Sequence, residues 1–393
     1  MEDHARRLRQ PGTELVELPA SRGRVLAEPV TADRDFPPFD RATRDGYAVR
    51  SSDLARIPVT LELAGEIRAG ASMKDFPKLL PGRAAAIMTG APVPEGADAV
   101  VMVEYSSLNG NYVEITKGVS AEENIVSSGS EGKKGIQLLA PGVVVDYAAI
   151  AVAASVGKSQ LRVFAKPRVA ILSTGDEVVD IAAVPEATQI RNSNSYSLAA
   201  QIEAAGGDAV ILPIAPDEPS RLRELIEKGF ENDLLVMAGG VSMGKYDLVE
   251  DVLAGLHVEF FFTGVKIQPG KPLVFGRYPA RDRYFFGLPG NPVSTMVTFE
   301  LFVRPLLAGL TGAIVTSLSF LSAKLGSDIH VKTGLTRFLP AQLSGEFQQA
   351  EVRLTPWQGS GDIAATAAAN CYIVVPPDRE KIAAGEWIPV MMR

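Results

Sequence analysis

Between residues 167 and 312 apolar strands and helical stretches alternate, and no other feature constrains the chain as much. RVAILS leads through the loop TGDE to the helical stretch SYSLAAQIEAAGG, which ends on a glycine pair. DAVILPIA, the helix EPSRLRELIEKG, LLVMAGG and the helix DLVEDVLAGL follow in turn. Apolar strands separated by helices are the pattern of parallel βαβ units, with helices on both faces of the sheet. The prediction is therefore a doubly wound α/β unit. In such sheets ligands bind beyond the carboxyl ends of the strands, so chemistry is expected there.

The flanking sequence has a different texture. A chain of 393 residues exceeds one ordinary core and calls for two to four domains. Residues 1–37 mix a polar start with PASRGRVLAEPV and run into the turn DFPPFD, and residues 125–166 carry Gly-rich turns and then the helix YAAIAVAASVG. Residues 38–124 hold short strands (LELAGEI, AAAIM, ADAVVMVE, YVEIT) and read as a β-rich insertion. Residues 313–393 return to strands (SLSFLSA, AEVRLT, CYIVV, WIPV) with no strong helix, the pattern of a small barrel or sandwich.

Composition narrows the function. Lys plus Arg number 39 against 46 Asp plus Glu, a net charge of -7, which argues against nucleic acid or an anionic membrane as the main partner. One cysteine excludes a disulfide framework and a Cys-rich metal site. Three histidines (His4, His257, His330) make a His-rich centre implausible. The apolar stretches Leu138–Val145 and Ala148–Val156 are far shorter than the roughly 20 residues of a membrane span. The start, MEDHARRLRQPGTEL, lacks a signal-peptide core, so a cytoplasmic location is expected.

Several segments carry chemistry. Three loops leave strands of the α/β unit: Ser173-Thr174-Gly175-Asp176-Glu177, Ala215-Pro216-Asp217-Glu218, and Gly239-Gly240-Val241-Ser242-Met243-Gly244. The last is either an anion cradle of free backbone N–H groups or a tight turn that needs glycine. In Leu288-Pro289-Gly290-Asn291-Pro292-Val293-Ser294, Asn291 suits an N-cap and Pro292 the first helical position. Hydroxyls of Ser294 and Thr295 are expected to face an anion at that helix start, unless the segment is only a well-capped helix. Asp176, Glu177, Asp217 and Asp247 bring carboxylates to the same rim, a donor set for Mg²⁺, although any one of them could be an ordinary cap. Lys271, in QPGKP, presents an ammonium group from a rigid turn, with Lys266 nearby. Cys371 reads as core, and no nucleophile–base pair is evident, so metal-assisted phosphoryl chemistry fits better than covalent catalysis.

FPPFDRATRDGYAVR, IMTGAPVPEGADAVVMVE, AILSTGDEVV, GGVSMGKYD, QPGKP, GLPGNPVS and WQGS resemble, in order and spacing, the motifs of the MoeA family, which includes the E domain of gephyrin. The resemblance implies a molybdopterin molybdenumtransferase that takes adenylylated molybdopterin and molybdate and releases AMP with Mg²⁺. It implies a homodimer of elongated four-domain subunits, in which residues 1–37 and 125–166 together form an elongated linking and dimerisation domain, and contact with the adenylyltransferase and with molybdoenzymes. By motif, Asp45 and Thr89 would reach across the dimer cleft. Glu177, Asp217 and Asp247 would surround the adenylate phosphate and metal. Ser173, Thr174, Gly175, Asp176, Gly239, Gly240, Ser242, Gly244, Pro289, Gly290, Asn291, Pro292 and Ser294 would hold pterin and phosphate, and Lys271 and Ser360 substrate or molybdate. The pattern departs from the family at Val126, where an arginine is usual, and at Gln268, where a lysine is usual; Arg41 and Arg44 are gained. Either could restore the missing charge. The alternatives are a paralogue that prefers another oxyanion such as tungstate, a non-catalytic pterin carrier, and an adenylyltransferase-like enzyme, against which the complete β regions argue.

Overall fold

The computed structural model describes residues 1–8, 11–72, 74, 76, 78–240 and 248–393. Its central unit has strands β1 (Arg168–Ser173), β2 (Asp208–Ile211), β3 (Leu234–Ala238), β4 (Glu259–Phe262), β5 (Val274–Tyr278) and β6 (Arg283–Leu288). The order across the sheet is β2-β1-β3-β6-β5-β4, parallel from β2 to β6 and antiparallel beyond. Helices α1 (Asn194–Ala204), α2 (Pro219–Gly229), α3 (Leu248–Gly255) and α4 (Pro292–Leu310) cover it.

The two-residue period of a strand explains why both faces are covered. Val169 and Ile171 of β1, with Val236 of β3 and Phe286 of β6, pack against α1 and α4. Their neighbours Ala170, Leu172, Leu235, Met237 and Phe285 pack against α2 and α3. Val169–Ser173 of β1 and all of β3 are thus buried, which produces the unbroken apolar runs seen in the sequence. Because β2 and β3 flank β1 on opposite sides, the winding reverses at β1. Loops leaving β1 and β3 therefore part at this point and open a crevice.

Helix α4 corrects one expectation. It has 19 residues, and an 18-residue stretch of it has a mean hydropathy of 1.4, long and apolar enough for a membrane span, yet 61% of that stretch is buried inside the fold. It is the core helix of the sheet's α1 face, and it carries a π-helical turn at Phe299–Val303.

Strands between residues 46 and 115 form a curled six-stranded sheet in the order Ala99–Met102, Gly46–Val49, Arg83–Ile87, Val59–Ile67, Tyr112–Ile115, Ser106–Asn109, and Arg41–Ala42 pairs separately with Ile125–Val126. Nearer the ends of the linking segments, Thr13–Glu17 pairs with Gln160–Phe164, and helix Tyr147–Ser155 starts on Asp146, which accepts the Ala149 N–H at 2.8 Å. Toward the C-terminus, strands Leu321–Leu325, Thr336–Ser344, Glu351–Leu354, Cys371–Val375 and Trp387–Met392 close into a five-stranded barrel through the pairing of Thr336–Ser344 with Cys371–Val375. One short helix there, Ile363–Ala368, capped by Asp362, was not foreseen. Cys371 lies in the barrel core, and burial pushes its thiol up to about 11.

Candidate active site

The carboxyl ends of β1, β3 and β6 are level, since Ser173 pairs with Ala238 and Ala238 with Leu288. The loops that follow therefore emerge at one rim. Backbone bonds hold them: Thr174 N–H donates to Ala238 O at 3.2 Å, Gly239 N–H to Leu288 O at 3.1 Å, and Gly175 N–H to Ala215 O at 3.2 Å. Between them lies a cavity of about 650 Å³.

Ten of the expected residues line that cavity: Ser173, Thr174, Gly175, Glu177, Asp217, Gly239, Gly240, Gly290, Asn291 and Pro292. Gly240 has φ +67°, and a Cβ there would collide with the Val249 side chain and stand 2.8 Å from Thr174 Oγ1. Gly175, at φ +127°, leaves room for the Glu177 carboxylate, which a Cβ would meet at 2.5 Å. These glycines let backbone and carboxylate come close together at the mouth of the cavity. Asp176 turns aside: its Oδ1 accepts the Asp217 N–H at 3.0 Å and so positions that loop. Ser242, Gly244 and Asp247 lie outside the described residues.

At α4 the expectation is met in part. Asn291 is the N-cap and Pro292 the first helical residue, but the Asn291 side chain makes no capping bond and faces the cavity. Ser294 and Thr295 are buried rather than presented to an anion. The Thr295 hydroxyl is used internally, donating to Pro289 O at 2.6 Å. Pro289 is itself buried beside the cavity. Ser360 accepts the Val293 N–H at 3.0 Å through its carbonyl, tying the WQGS loop to the first turn of α4.

Four side chains that sequence reasoning passed over complete the wall: Arg191, Asn192, Ser193 and Asn194. Asn192 and Ser195 are buried, and with Ser173 they form a polar hub: Ser173 Oγ donates to Asn192 Oδ1 at 3.0 Å and lies 2.9 Å from Ser195 Oγ. Asn194 Nδ2 donates to Gly290 O at 2.8 Å, which joins α1 to the α4 loop. Its Oδ1 and the Thr174 hydroxyl have no hydrogen-bond partner among the described residues. Buried polar atoms left open at a cavity wall mark a site built for a polar ligand. The signal was the run RNSNS directly after strand-like QI, which reads equally as a helix start.

Asp45 and Thr89 sit together in the curled sheet unit, away from this cavity. Asp45 Oδ1 accepts the Thr89 N–H at 2.7 Å, and that bond holds its carboxyl below the usual carboxylate range. Lys271 is exposed in the loop before β5 and does not line the cavity; Ile267–Gln268, just before it, pairs in parallel with Thr336–Arg337 of the barrel.

For a metal, no group of three His, Cys, Asp or Glu stands together among the described residues. Glu177 and Asp217 do share the cavity wall. Two carboxylates on one wall fit Mg²⁺, which is commonly held by one or two carboxylates, waters and substrate phosphates rather than by a full protein cage.

Residues 1–157 match the MoeA N-terminal region (domain I and II), residues 170–309 a probable molybdopterin binding domain, and residues 322–392 the MoeA C-terminal region (domain IV). A Nostoc sp. protein named molybdopterin molybdenumtransferase is 40% identical over 309 residues, 77% of this chain and 70% of the relative. A protein of the same name from Haemophilus influenzae is 33% identical over 383 residues, 96% of this chain and 93% of the relative. The solved molybdopterin biosynthesis moeA protein from Pyrococcus horikoshii OT3 has a TM-score of 0.77 at 29% identity, covering 98% of this chain and 95% of that one.

Proposed function

Since the chain belongs to the MoeA family, and is thus a transferase of molybdenum cofactor biosynthesis, we propose that it inserts molybdate into adenylylated molybdopterin with release of AMP. The observation that carries this reading is the cavity at the carboxyl rim of β1, β3 and β6, where a glycine turn, open buried polar atoms and two carboxylates face one space.

Phosphoanhydride cleavage needs positioning and charge neutralisation more than a protein nucleophile. In this reading the phosphate rests against the Gly239-Gly240 turn and the start of α4. Asn194 Oδ1 and the Thr174 hydroxyl hydrogen-bond the pterin or its phosphate, and the Ser173–Asn192–Ser195 hub keeps that wall rigid. Glu177 and Asp217 would hold Mg²⁺, with Asp247 as a third carboxylate, and Mg²⁺ there supplies charge neutralisation at the anhydride. Lys271 and Ser360 belong to neighbouring loops and would secure molybdate.

Asp45 and Thr89 reach no cavity residue within one chain, which accords with a homodimer in which each β-rich unit closes the partner's site. The linking, inserted, α/β and barrel segments would then act as four domains of an elongated, cytoplasmic subunit. The test is reconstitution of a molybdenum-free molybdoenzyme from adenylylated molybdopterin, molybdate, Mg²⁺ and this protein. Restored activity is expected. Tight pterin binding without restoration would favour a carrier, and restoration with tungstate but not molybdate a different oxyanion.

A further inference from the structure

A second cavity, of about 670 Å³, lies at the other end of the same sheet. It is lined by Pro167, Asp233 and Arg283, which precede or begin β1, β3 and β6, so it opens at their amino ends. Five basic side chains face it (Arg7, Lys166, Arg277, Arg281, Arg283) against two acidic ones, Asp233 and Asp282. In a chain of net charge -7 that is a local reversal of sign.

Two of the guanidinium groups are held in place. Arg277 donates to Asp282 Oδ1 from Nε at 3.0 Å and from Nη2 at 2.7 Å. Arg283 stands 3.3 Å from Asp233, whose other oxygen accepts the Arg168 N–H at 2.8 Å. Arg281 has its nearest carboxylate, Glu231, only at 4.0 Å. Arg7 and Lys166 form no ion pair among the described residues. Glu259 also stands 4.0 Å from Arg277, so the charge left unneutralised is that of Arg7 and Lys166, beside guanidinium groups already fixed in place, an arrangement that suits a multiply charged anion.

Its place in the chain adds a consequence. Pro11-Gly12 and Ala165-Lys166-Pro167 also line the cavity; the first stretch precedes Thr13–Glu17 of the ribbon, and the second joins Gln160–Phe164 to β1 of the α/β unit. They are bonded to each other, Ala165 N–H donating to Gly12 O at 2.7 Å. We propose that this cavity binds a small polyanion, carrying two or more adjacent phosphate or carboxylate groups, and that the bound anion stiffens the junction between ribbon and sheet. Lys166 lies on the junction and Arg277, Arg281 and Arg283 on the sheet, so one anion bridges both sides.

The test is titration calorimetry of the full chain with tripolyphosphate and, separately, with citrate, which distinguishes a phosphate from a carboxylate ligand. Asn194→Leu disables the candidate active site, which also cradles anions, and Lys166→Ala/Arg281→Ala disables the second cavity. Binding should persist in Asn194→Leu and weaken at least about tenfold in the double variant. Binding that ignores the double variant, or is lost only in Asn194→Leu, overturns the proposal, as does the absence of binding by both probes. Spin labels on Lys158→Cys and Lys228→Cys read the junction: tripolyphosphate should narrow their distance distribution, and an unchanged width refutes the stiffening.

Discussion

Arg41 and Val126 are cross-strand partners, paired directly in the short antiparallel ladder of Arg41–Ala42 with Ile125–Val126. Directly opposed residues put their Cβ atoms on one face, about 5 Å apart. The resemblance expects an arginine where Val126 stands, and we propose that Arg41 returns a guanidinium to nearly the same place. It is lightly tethered, 3.4 Å from Glu131 in an exposed pair. Arg44 has no such relation to Val126. We therefore expect Arg41→Ala to lower turnover at least about tenfold, and Arg41→Ala/Val126→Arg to recover most of it, whereas Arg44→Ala changes little. Equal turnover in Arg41→Ala and the parent would remove Arg41 from the account.

If each site combines one subunit's cavity with its partner's Asp45 and Thr89, two inactive variants should complement. Asp45→Ala and Asp217→Ala are each expected to be inactive as pure preparations. Mixed by co-expression they should recover about a quarter of the parent activity, since half the dimers then hold one intact site of two. No recovery, with mixed dimers demonstrated by mass spectrometry, would place Asp45 outside the shared site.

Gly240→Ala should damage binding and stability together. The new Cβ meets Val249 and Thr174 in a backbone conformation that L side chains rarely adopt. The expected loss is about 1–3 kcal/mol in denaturant unfolding, with weaker pterin binding, and both are measurable on one preparation.

His4 supplies a pH dependence. Its ring packs 4.7 Å from Phe261 and 5.3 Å from Phe275, and burial, with the amino terminus and Arg7 adding to it, pushes its pKa below the ordinary 6.5; Asp3 opposes this. The folded state therefore favours the neutral ring. Its stabilising contribution is complete above pH 6.5 and is lost as pH falls through the lowered folded value. Melting temperature followed from pH 8 to pH 5 should fall less steeply in His4→Phe than in the parent, and identical slopes would contradict this.

How far the sequence could be read depended on whether a signal was local. The alternation of β1, β2 and β3 with helices α1, α2 and α3 is local, and the split of Val169 and Ile171 from Ala170 and Leu172 follows from strand geometry. The glycine turn and the Asn291-Pro292 start were legible because they need particular backbone angles. The Asn192–Ser195 hub was not, because its partner Ser173 lies 19 and 22 residues away and only folding brings them within 3.0 Å. Ser294 and Thr295 misled for the opposite reason. Their hydroxyls look available at a helix start, but the turn of the chain before α4 buries them, and Pro289 O takes the Thr295 proton. Likewise α4 hides its span-length apolar run behind a serine, threonines, a glutamate and an arginine.

The most direct test of the central claim is AMP release from adenylylated molybdopterin in single turnover, with Mg²⁺, in the presence and absence of molybdate. The account predicts release that depends on molybdate, that falls at least about a hundredfold in Glu177→Gln/Asp217→Asn, and that leaves pterin binding measurable in that variant. Release at the parent rate in the double variant, or none from the parent despite tight binding, would contradict it.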